Sequence, residues 1–510
     1  MSESRTDVLR ARVLRVAGLR ALESAAQARH PSESLMERAG IAVASLAIEM
    51  AAERSGPIVV LAGPGNNGGD ALVAARELRR RGCDVRVALL ADSKSYRGDA
   101  STAWIAWQSV AAETTVDLHT VIDDATLIID GLFGIGFARA PAGLAREWVA
   151  LVNASRCPVL AIDIASGVDA DTGRVVDIAI VADRTLTFLA RKPGLLTGEG
   201  LDHCGEVVVD LLGIERDFDR DSHRENAHDI GALNRPALFA HAWKPRKLNS
   251  HKGSNGSVAV VGGNHGMVGA ALLASRMALH GGAGRVYVRL LADGGPGFDV
   301  VHPELMLRTS LDGVDANAFA IGPGLGSDEA AIAALDEVLV TDVGLVIDAD
   351  ALNAIAAHPR LAAKLAARGM RAVPTAVLTP HPLEAARLLG TDAATVQADR
   401  LAAATRLAAQ TGCIVILKGA GSVIAEPSGG WVINPTGNPL LATGGTGDVL
   451  CGLVVALLAQ SLAPLDAARA ATWIHGTAAD DLAAAGIGPV GMTASELIVA
   501  IRAVINRMAS

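Results

Sequence analysis

Residues 444–459 read GGTGDVLCGLVVALLA, and this stretch decides how the second half of the chain folds. Three closely spaced glycines precede an apolar run, which predicts a tight turn that opens a buried helix. The first N–H groups of a helix have no partner within it, and the helix dipole favours negative charge there. Asp448 would lie in the first turn, where it could accept a proton beside a bound phosphoryl group. The stretch predicts a phosphoryl-transfer site, and the alternative is a carboxylate that only caps the helix.

Other turns in this half, four of them containing glycine or proline, also follow short apolar runs. The turns are residues 262–270, 322–326, 348–353, 379–382 (TPHP) and 418–422 (KGAGS). Loops after the carboxyl ends of parallel strands share one edge of a sheet, where ligands bind. No G-x-x-x-x-G-K-[ST] sequence occurs in the chain, which excludes a P-loop NTPase.

In the first half of the chain, short apolar runs that end in glycine turns alternate with helical stretches. Strands are predicted at residues 57–62, 85–90, 126–129 and 158–162, with a helix at residues 71–81. This alternation of strands and helices is typical of a parallel sheet covered by helices on both faces.

Three polar glycine loops follow these strands. They are GPGNNGGD at residues 63–70, GLFGIG at residues 131–136 after Asp130, and ASGVD at residues 165–169 after Asp163. A single aspartate at a strand end is commonly a turn former or a helix cap. Three such loops together favour one shared binding crevice.

The alternation breaks between about residues 215 and 252, where the sequence is charged and polar. A chain of 510 residues is also too long for one ordinary core. We therefore predict an α/β protein with two domains, residues 1–220 and 221–510, each a three-layer αβα sandwich.

The composition of the chain excludes several classes of function. The net charge of -9 argues against a nucleic-acid surface. The five cysteines have no CxxC spacing, which predicts reduced thiols rather than disulfides or a zinc site. No apolar stretch approaches membrane-spanning length, so we expect a cytoplasmic protein that acts without a membrane.

The loop GPGNNGGD and the segments IIDGLFGIGFARA, AIDIASGVDADTG and RKPGLLTG resemble the NAD(P)H-hydrate epimerases, over residues 12–214. The resemblance implies a Rossmann-like domain and a potassium ion held by Asn67, Asp130 and Ser166. Amide, carboxylate and hydroxyl oxygens suit such a hard cation. Asp163 is the candidate catalytic proton-transfer group. The resemblance also implies that the hydrated dinucleotide contacts Asn66, Asn67, Gly68, Gly69, Asp70, Gly134, Ile135, Gly136, Phe137, Ala138, Arg139, Ala140 and Asp163.

GTGD at a helix start resembles the ribokinase-like superfamily. IDADALN, TPHP and GGTGDVL together resemble its nicotinamide-hydrate dehydratase branch, over residues 225–510. This implies that Asp448 is catalytic and that ADP, with magnesium, donates the phosphoryl group; the residues alone do not distinguish ADP from ATP. Contacts to the hydrated dinucleotide are implied for Ala270, Gly324, His381 and Asp448. Contacts to the adenine nucleotide are implied for Lys418, Gly419, Ala420, Gly421, Ser422 and Gly447.

The two resemblances together predict a nicotinamide-nucleotide repair enzyme. Its partners would be small-molecule nucleotides, with no nucleic acid, and a homo-oligomer is expected. A conventional vitamin kinase with a stable product is an alternative, which the epimerase-like half and TPHP disfavour. Another alternative is a first domain that only binds nucleotide or RNA. This is disfavoured by the presence of Asn67, Asp130, Asp163 and Ser166.

Overall fold

The computed structural model describes residues 4–30, 34–52, 54–110, 114–115, 117–136, 139–215, 230–243, 246–369, 371 and 373–509. The chain divides into two compact units, Met1–Ala232 and Leu233–Ser510. The domain boundary that we expected between residues 220 and 221 lies outside the described residues. Both units are α/β, as the alternation of strands and helices predicted.

The first unit is built on a parallel sheet. The strands of this unit are β1 (Arg12–Leu14), β2 (Ile58–Ala62), β3 (Val85–Leu89), β4 (Thr114–Thr115), β5 (Leu127–Gly131), β6 (Val159–Ile162), β7 (Arg184–Phe188) and β8 (Glu206–Asp210), and all but β1 belong to the sheet. Its helices are α1 (Arg5–Arg10), α2 (Val16–Arg29), α3 (Leu35–Ala51), α4 (Asn66–Arg80), α5 (Gly98–Ser109), α6 (Leu144–Ala154) and α7 (Gly200–His203). The sheet order is β4-β3-β2-β5-β6-β7-β8, with every adjacent pair parallel. Every residue of β2, β5 and β6 is buried, which requires cover on both faces of the sheet.

Strand β9 (Ile230–Leu233) pairs antiparallel with β1 through Ile230, Gly231 and Ala232. The later strands are β10 (Ser257–Gly262), β11 (Arg285–Leu290), β12 (Met306–Arg308), β13 (Ala318–Ile321), β14 (Gly344–Ile347), β15 (Val377–Leu378), β16 (Ile414–Leu417), β17 (Val423–Ala425) and β18 (Trp431–Ile433). The helices of the second unit are α8 (Val268–His280), α9 (Glu329–Leu339), α10 (Ala349–Ala357), α11 (Pro359–Gly369), α12 (Pro382–Leu389), α13 (Ala393–Ala398), α14 (Arg400–Thr411), α15 (Thr446–Ala459), α16 (Pro464–Ala484) and α17 (Ala494–Ala509). Its strands follow the order β18-β17-β16-β15-β14-β13-β10-β11-β12. Only the pairs β16-β17 and β17-β18 are antiparallel within this order.

The carboxyl ends of the central strands of the second unit lie level with one another. Val261 is opposite Ile321, Ile321 is opposite Ile347, and Ile347 is opposite Leu378. The loops that follow these strands therefore meet at one edge of the sheet, as the strand-and-turn pattern predicted.

Helix α4 begins earlier than the sequence predicted. It starts at Asn66, so that GPGNNGGD is not a loop before a helix at residue 71 but contains the first helical turn. A β-carbon on Gly68 would collide with the carbonyl oxygen of Gly63. Glycine is needed at this position because the helix start packs directly on the loop backbone.

Helix α15 runs through the core of the second unit. It begins at Thr446 after Gly445, whose φ of 91° lies in the left-handed region that favours glycine. Every residue from Val449 to Ala459 is buried. A β-carbon on Gly452 would collide with the carbonyl oxygen of Ala274 in α8, so the two helices are in backbone contact.

In the part of the chain that the structure describes, no helix has both the length and the apolarity needed to cross a membrane. The five cysteines are free thiols, as their scattered spacing predicted, and three of them are buried: Cys204, Cys413 and Cys451.

Candidate active sites

Asp130 and Ser166 join the loops after β5 and β6 in the first unit. The Ser166 hydroxyl donates to Asp130 Oδ1 at 2.6 Å, and the Ser166 N–H donates to Asp130 Oδ2 at 2.8 Å. Asn67 Nδ2 donates to the carbonyl oxygen of Phe133 at 3.0 Å, and the Ser166 hydroxyl lies 3.2 Å from the same oxygen. The structure thus brings together the three residues predicted to hold potassium. Their oxygens, with the Phe133 carbonyl, form a set of hard donors that fits this ion.

Asp130 carries the negative charge of this oxygen cluster. It is 0 % exposed, and burial raises its pKa to about 6 although hydrogen bonds from Ser166 and Leu132 act in the opposite direction. The carboxylate form therefore predominates at neutral pH but is costly to bury. A nearby cation would offset this cost.

The predicted dinucleotide contacts lie beside this cluster. Residues 66–70 form the first turn of α4. A β-carbon on Gly134 would lie 3.2 Å from Asn67 Oδ1, and one on Gly136 would lie 3.4 Å from a terminal nitrogen of Arg20. Among the remaining predicted contacts, Ile135 and Ala140 are half-buried, Arg139 is exposed, and Phe137 and Ala138 lie outside the described residues.

Asp163 lies at the end of β6 in direct contact with a buried lysine. Its Oδ1 accepts hydrogen bonds from the ammonium group of Lys192, from Thr187 Oγ1 at 3.2 Å and from the Phe188 N–H at 3.3 Å. Lys192 is 0 % exposed. Lys192 belongs to the RKPGLLTG segment, but nothing local in that sequence indicates that its side chain reaches Asp163.

Two further carboxyl groups face Asp163. Burial raises the pKa of Glu23 in α2, and the charge of Asp163 raises it further. Burial also raises the pKa of Asp70 well above its usual range, with Asp163 as the next cause. Asp70 was predicted from sequence, whereas Glu23 was not, because it precedes the sheet and lies in no motif.

In the second unit, Asp448 occupies the first turn of α15 but does not cap it. The capping position is held by Gly445, with no side-chain hydrogen bond. Aspartates that do cap helices in this unit behave differently: backbone N–H donors lower the pKa of Asp328 and of Asp392. Burial instead raises the pKa of Asp448 to about 7. The capping alternative for Asp448 is therefore wrong.

A buried charge cluster surrounds Asp448. Lys418 Nζ lies 2.8 Å from Asp348 Oδ1 and 3.9 Å from Glu384 Oε2. Burial alone would lower the pKa of Lys418, but Asp348 and Glu384 outweigh it and the pKa is raised. After burial, Asp348 contributes most to the raised pKa of Asp448, and Lys418 opposes it. Asp348 and Glu384 are members of this site to which the sequence assigned no role.

His381 begins α12 with a capping box. Its Nδ1 accepts a hydrogen bond from the Leu383 N–H at 3.1 Å, and Glu384 Oε2 accepts one from the His381 N–H at 2.7 Å. Burial lowers the pKa of His381, and Lys418 lowers it further, so the ring is neutral at physiological pH. The His381 ring therefore caps α12 and also lies near Lys418 and Asp348 of the charge cluster.

Two predicted dinucleotide contacts from separate loops meet at the same edge. A β-carbon on Gly324 would lie 3.2 Å from the Ala270 β-carbon, and the Asn264 N–H donates to the Gly324 carbonyl at 2.7 Å. The Gly326 N–H donates to Asp350 Oδ2 at 2.9 Å, which ties this loop to the one after β14.

A buried arginine supports the loop predicted to contact the adenine nucleotide. Arg400 donates to the carbonyl oxygens of Leu417 at 3.3 Å and Lys418 at 3.2 Å. The Ser422 hydroxyl donates to the Gly419 carbonyl at 3.0 Å. A β-carbon on Gly447 would lie 3.4 Å from Lys418 Nζ, so this loop adjoins the start of α15. Ala420 and Gly421 complete the same turn.

Family models match both units. The model described as NAD(P)H-hydrate dehydratase matches residues 258–503. The model described as YjeF-related protein N-terminus matches residues 32–194.

Relatives match nearly the whole chain. The bifunctional NAD(P)H-hydrate repair enzyme Nnr of Escherichia coli is 37% identical over 454 residues, 88% of this chain and 85% of the relative. The enzyme of the same description from Moorella thermoacetica is 38% identical over 505 residues, 92% of this chain and 91% of the relative. A crystal structure of ADP/ATP-dependent NAD(P)H-hydrate dehydratase from Bacillus subtilis, co-crystallised with ATP and magnesium, is 32% identical. It covers 53% of this chain and 96% of its own, with a TM-score of 0.46.

Proposed function

The chain belongs to the family of bifunctional NAD(P)H-hydrate repair enzymes, and from that premise we propose how its two sites divide the work. The protein interconverts the R and S hydrates of NADH and NADPH and dehydrates the S form back to the reduced dinucleotide at the expense of an adenine nucleotide. The first unit is the epimerase and the second is the dehydratase. The assignment of particular residues to these reactions rests on the contacts described above.

The dehydratase assignment is carried by Asp448, an uncapped carboxylate at a helix start beside a buried lysine. In our proposal Asp448 removes the proton from the hydroxyl at C6 of the hydrated ring, and the oxygen attacks the terminal phosphorus of ADP. AMP leaves, and the phosphoryl group stays on the C6 oxygen. The N–H groups at the start of α15, with Gly447, and the Lys418 ammonium stabilise the negative charge of the transferring group.

The phosphate ester then becomes the leaving group. The lone pair of the ring nitrogen expels phosphate from C6, and loss of a proton from C5 restores the ring double bond. The products are the reduced dinucleotide, AMP and phosphate. The kinase-like steps thus end in elimination, because phosphate leaves far more readily than hydroxide.

The second unit also fits a magnesium ion that arrives on the nucleotide. Asp348, Glu384 and Asp448 surround one lysine, which leaves an excess of negative charge. Among the described residues, no group of three or more histidine, cysteine, aspartate or glutamate side chains forms a metal-holding cluster. Magnesium is commonly held through substrate phosphates and one or two carboxylates rather than by a full protein cage. When bound, it would neutralise charge on the phosphates.

In the epimerase unit, we assign potassium to Asn67, Asp130 and Ser166, with the hydrated dinucleotide along residues 66–70 and 134–140. The ion would offset the buried Asp130 charge and fix the loops after β5 and β6. Asp163 would face the nicotinamide ring. A cytoplasmic location, a homo-oligomer and the preference for ADP over ATP stay predictions.

One assay tests both assignments. Purified protein receives mixed R and S hydrates of NADPH with ADP and magnesium, and the recovery of dihydronicotinamide absorbance is followed. We expect complete recovery, with ADP more effective than ATP. Recovery of the S fraction alone would refute the epimerase assignment, and no recovery with either nucleotide would refute the repair function of this chain.

The raised pKa of Asp448 predicts the pH dependence of dehydration. A general base must be deprotonated, so kcat/KM for the S hydrate should rise about tenfold per pH unit below about pH 7 and level off above it. Initial rates across this range, with saturating nucleotide, measure the profile. A profile that is flat across neutral pH would contradict the role of Asp448.

A further inference from the structure

The lysine that contacts Asp163 has no role in the function assigned so far. Its ammonium donates to three acceptors, the Asp163 carboxylate, Thr187 Oγ1 at 2.7 Å and the Phe188 carbonyl at 3.1 Å. The Lys192 side chain is 0 % exposed, whereas the Asp163 side chain remains 12 % exposed. A ligand can therefore reach Asp163 but not Lys192.

Stability alone does not account for this ion pair. Burying two opposite charges gives little net stabilisation, because both lose their water. Asp163 also has a φ of 68°, in the left-handed region that is unfavourable for residues other than glycine. Strained residues of this kind cluster at functional sites, where the surrounding structure fixes a side chain in one orientation.

Two carboxyl groups interact with Asp163 within the part of the chain that the structure describes. Glu23 faces it from α2 and Asp70 from α4, and the charge of Asp163 contributes to the raised pKa of each. The charge of Asp99 also raises the pKa of Asp70, whereas the charges of Lys192 and Arg20 lower the pKa of Glu23. Without the ammonium group, Asp163 would carry its charge among acidic side chains in a poorly solvated position.

We propose that Lys192 is a positioning residue that holds Asp163 as an oriented carboxylate, so that Asp163 transfers the proton during epimerisation. This inference rests on the proposed epimerase function. Asp163 takes the proton of the C6 hydroxyl while the C6–N1 bond breaks, which leaves an aldehyde at C6. The electron pair goes to N1 and its conjugated carboxamide. After rotation about the C5–C6 bond, N1 attacks the opposite face and the proton returns from Asp163 to the oxygen.

The test uses the full chain without nucleotide, so that dehydration is idle. Pure R hydrate is supplied, and formation of the S hydrate is measured by chromatography after subtraction of the enzyme-free rate. Lys192→Met should move the rising limb of the pH–rate profile upward by at least about one pH unit, so that its rate falls at least about tenfold below the wild-type rate at a pH below both limbs. The rate should recover as the pH rises. Lys192→Arg keeps the positive charge and should leave the limb near its wild-type position.

Thr187→Val provides the matched control, since its hydroxyl contacts both ions but carries no charge. It should lower the rate several-fold at every pH and move the limb by clearly less than Lys192→Met does, because it removes one hydrogen bond to Asp163 and no charge. If Lys192→Met does not fold, as judged by its melting curve, an unchanged rate in Thr187→Val contradicts the proposal. The proposal is also contradicted if Lys192→Met folds and its epimerisation rate falls by the same factor at every pH. A wild-type protein that epimerises at no pH would instead refute the proposed function.

Discussion

Replacement of Asp448 by asparagine is expected to slow dehydration of the S hydrate by roughly a hundredfold to ten thousandfold, the range typical for loss of a general base. Asparagine is close in size but cannot accept the hydroxyl proton. Epimerisation in the first unit should be unchanged in the same preparation. Initial rates of both reactions, measured with saturating nucleotide, test this expectation.

The same substitution should not weaken the fold. The folded protein raises the pKa of Asp448, so it binds a proton there more tightly than the unfolded chain does. Ionisation therefore lowers stability as the pH rises toward about 7, and asparagine removes this effect. Asp448→Asn should melt at the same temperature as the wild type or higher, with a difference that grows up to about pH 7.

Asp392 offers a matched control. It too is an aspartate at a helix start, but it caps α13 by accepting a hydrogen bond from the Thr395 N–H at 2.7 Å. Asp392→Asn should leave dehydration at the wild-type rate. If Asp448→Asn also turns over at a near-normal rate, Asp448 is not the base.

Replacement of Asp130 by alanine is the second substitution with a large expected effect. It leaves the Ser166 N–H and the Leu132 N–H without their acceptor in a buried position, and the Ser166 hydroxyl keeps only the Phe133 carbonyl at 3.2 Å. Each unsatisfied buried group costs on the order of 1–3 kcal/mol, so the total for these two N–H groups should be about 2 kcal/mol or more. Epimerisation and any activation by potassium should be lost together.

Calorimetry of the full chain, with dehydratase activity as an internal control for the second unit, measures this effect. Asp177→Ala is the comparison: Asp177 forms an exposed ion pair with Arg146 at 2.8 Å in the same unit. That substitution should cost less than about 1 kcal/mol and leave epimerisation intact. Wild-type melting and epimerisation in Asp130→Ala would show that Asp130 does not hold the two loops together.

Local sequence patterns predicted the loops that form each site. Short apolar strands followed by polar turns placed Asp130, Asp163 and Asp348 at the carboxyl edges of parallel sheets, where the structure has them. The position of Asp448 in the first turn of a buried helix was predicted equally well, because its glycines and apolar run are contiguous.

Partners that lie far apart in the sequence could not be predicted in this way. Lys192 reaches Asp163 from after β7, and Glu23 faces it from a helix before the sheet. Arg400 supports the Lys418 loop from inside α14. A single lysine, glutamate or arginine carries no sign of burial in its own sequence, because burial depends on which strands and helices pack around it.

The start of α4 shows a different limit. Glycine lowers helix propensity, so the residues from Asn66 to Asp70 favoured a loop. The packing of Gly68 on Gly63 overrides that preference, since only glycine permits the contact. Tertiary contact, rather than local preference, determines where this helix begins.

The central claim is that phosphate departs with the oxygen of the hydrate. The S hydrate is prepared with ¹⁸O in its C6 hydroxyl, and the phosphate released during one turnover with ADP is analysed by mass spectrometry. We predict that the phosphate carries one ¹⁸O atom and that the solvent gains none. Unlabelled phosphate with ¹⁸O in water would show that the hydroxyl leaves without being phosphorylated, and would contradict the mechanism assigned to Asp448.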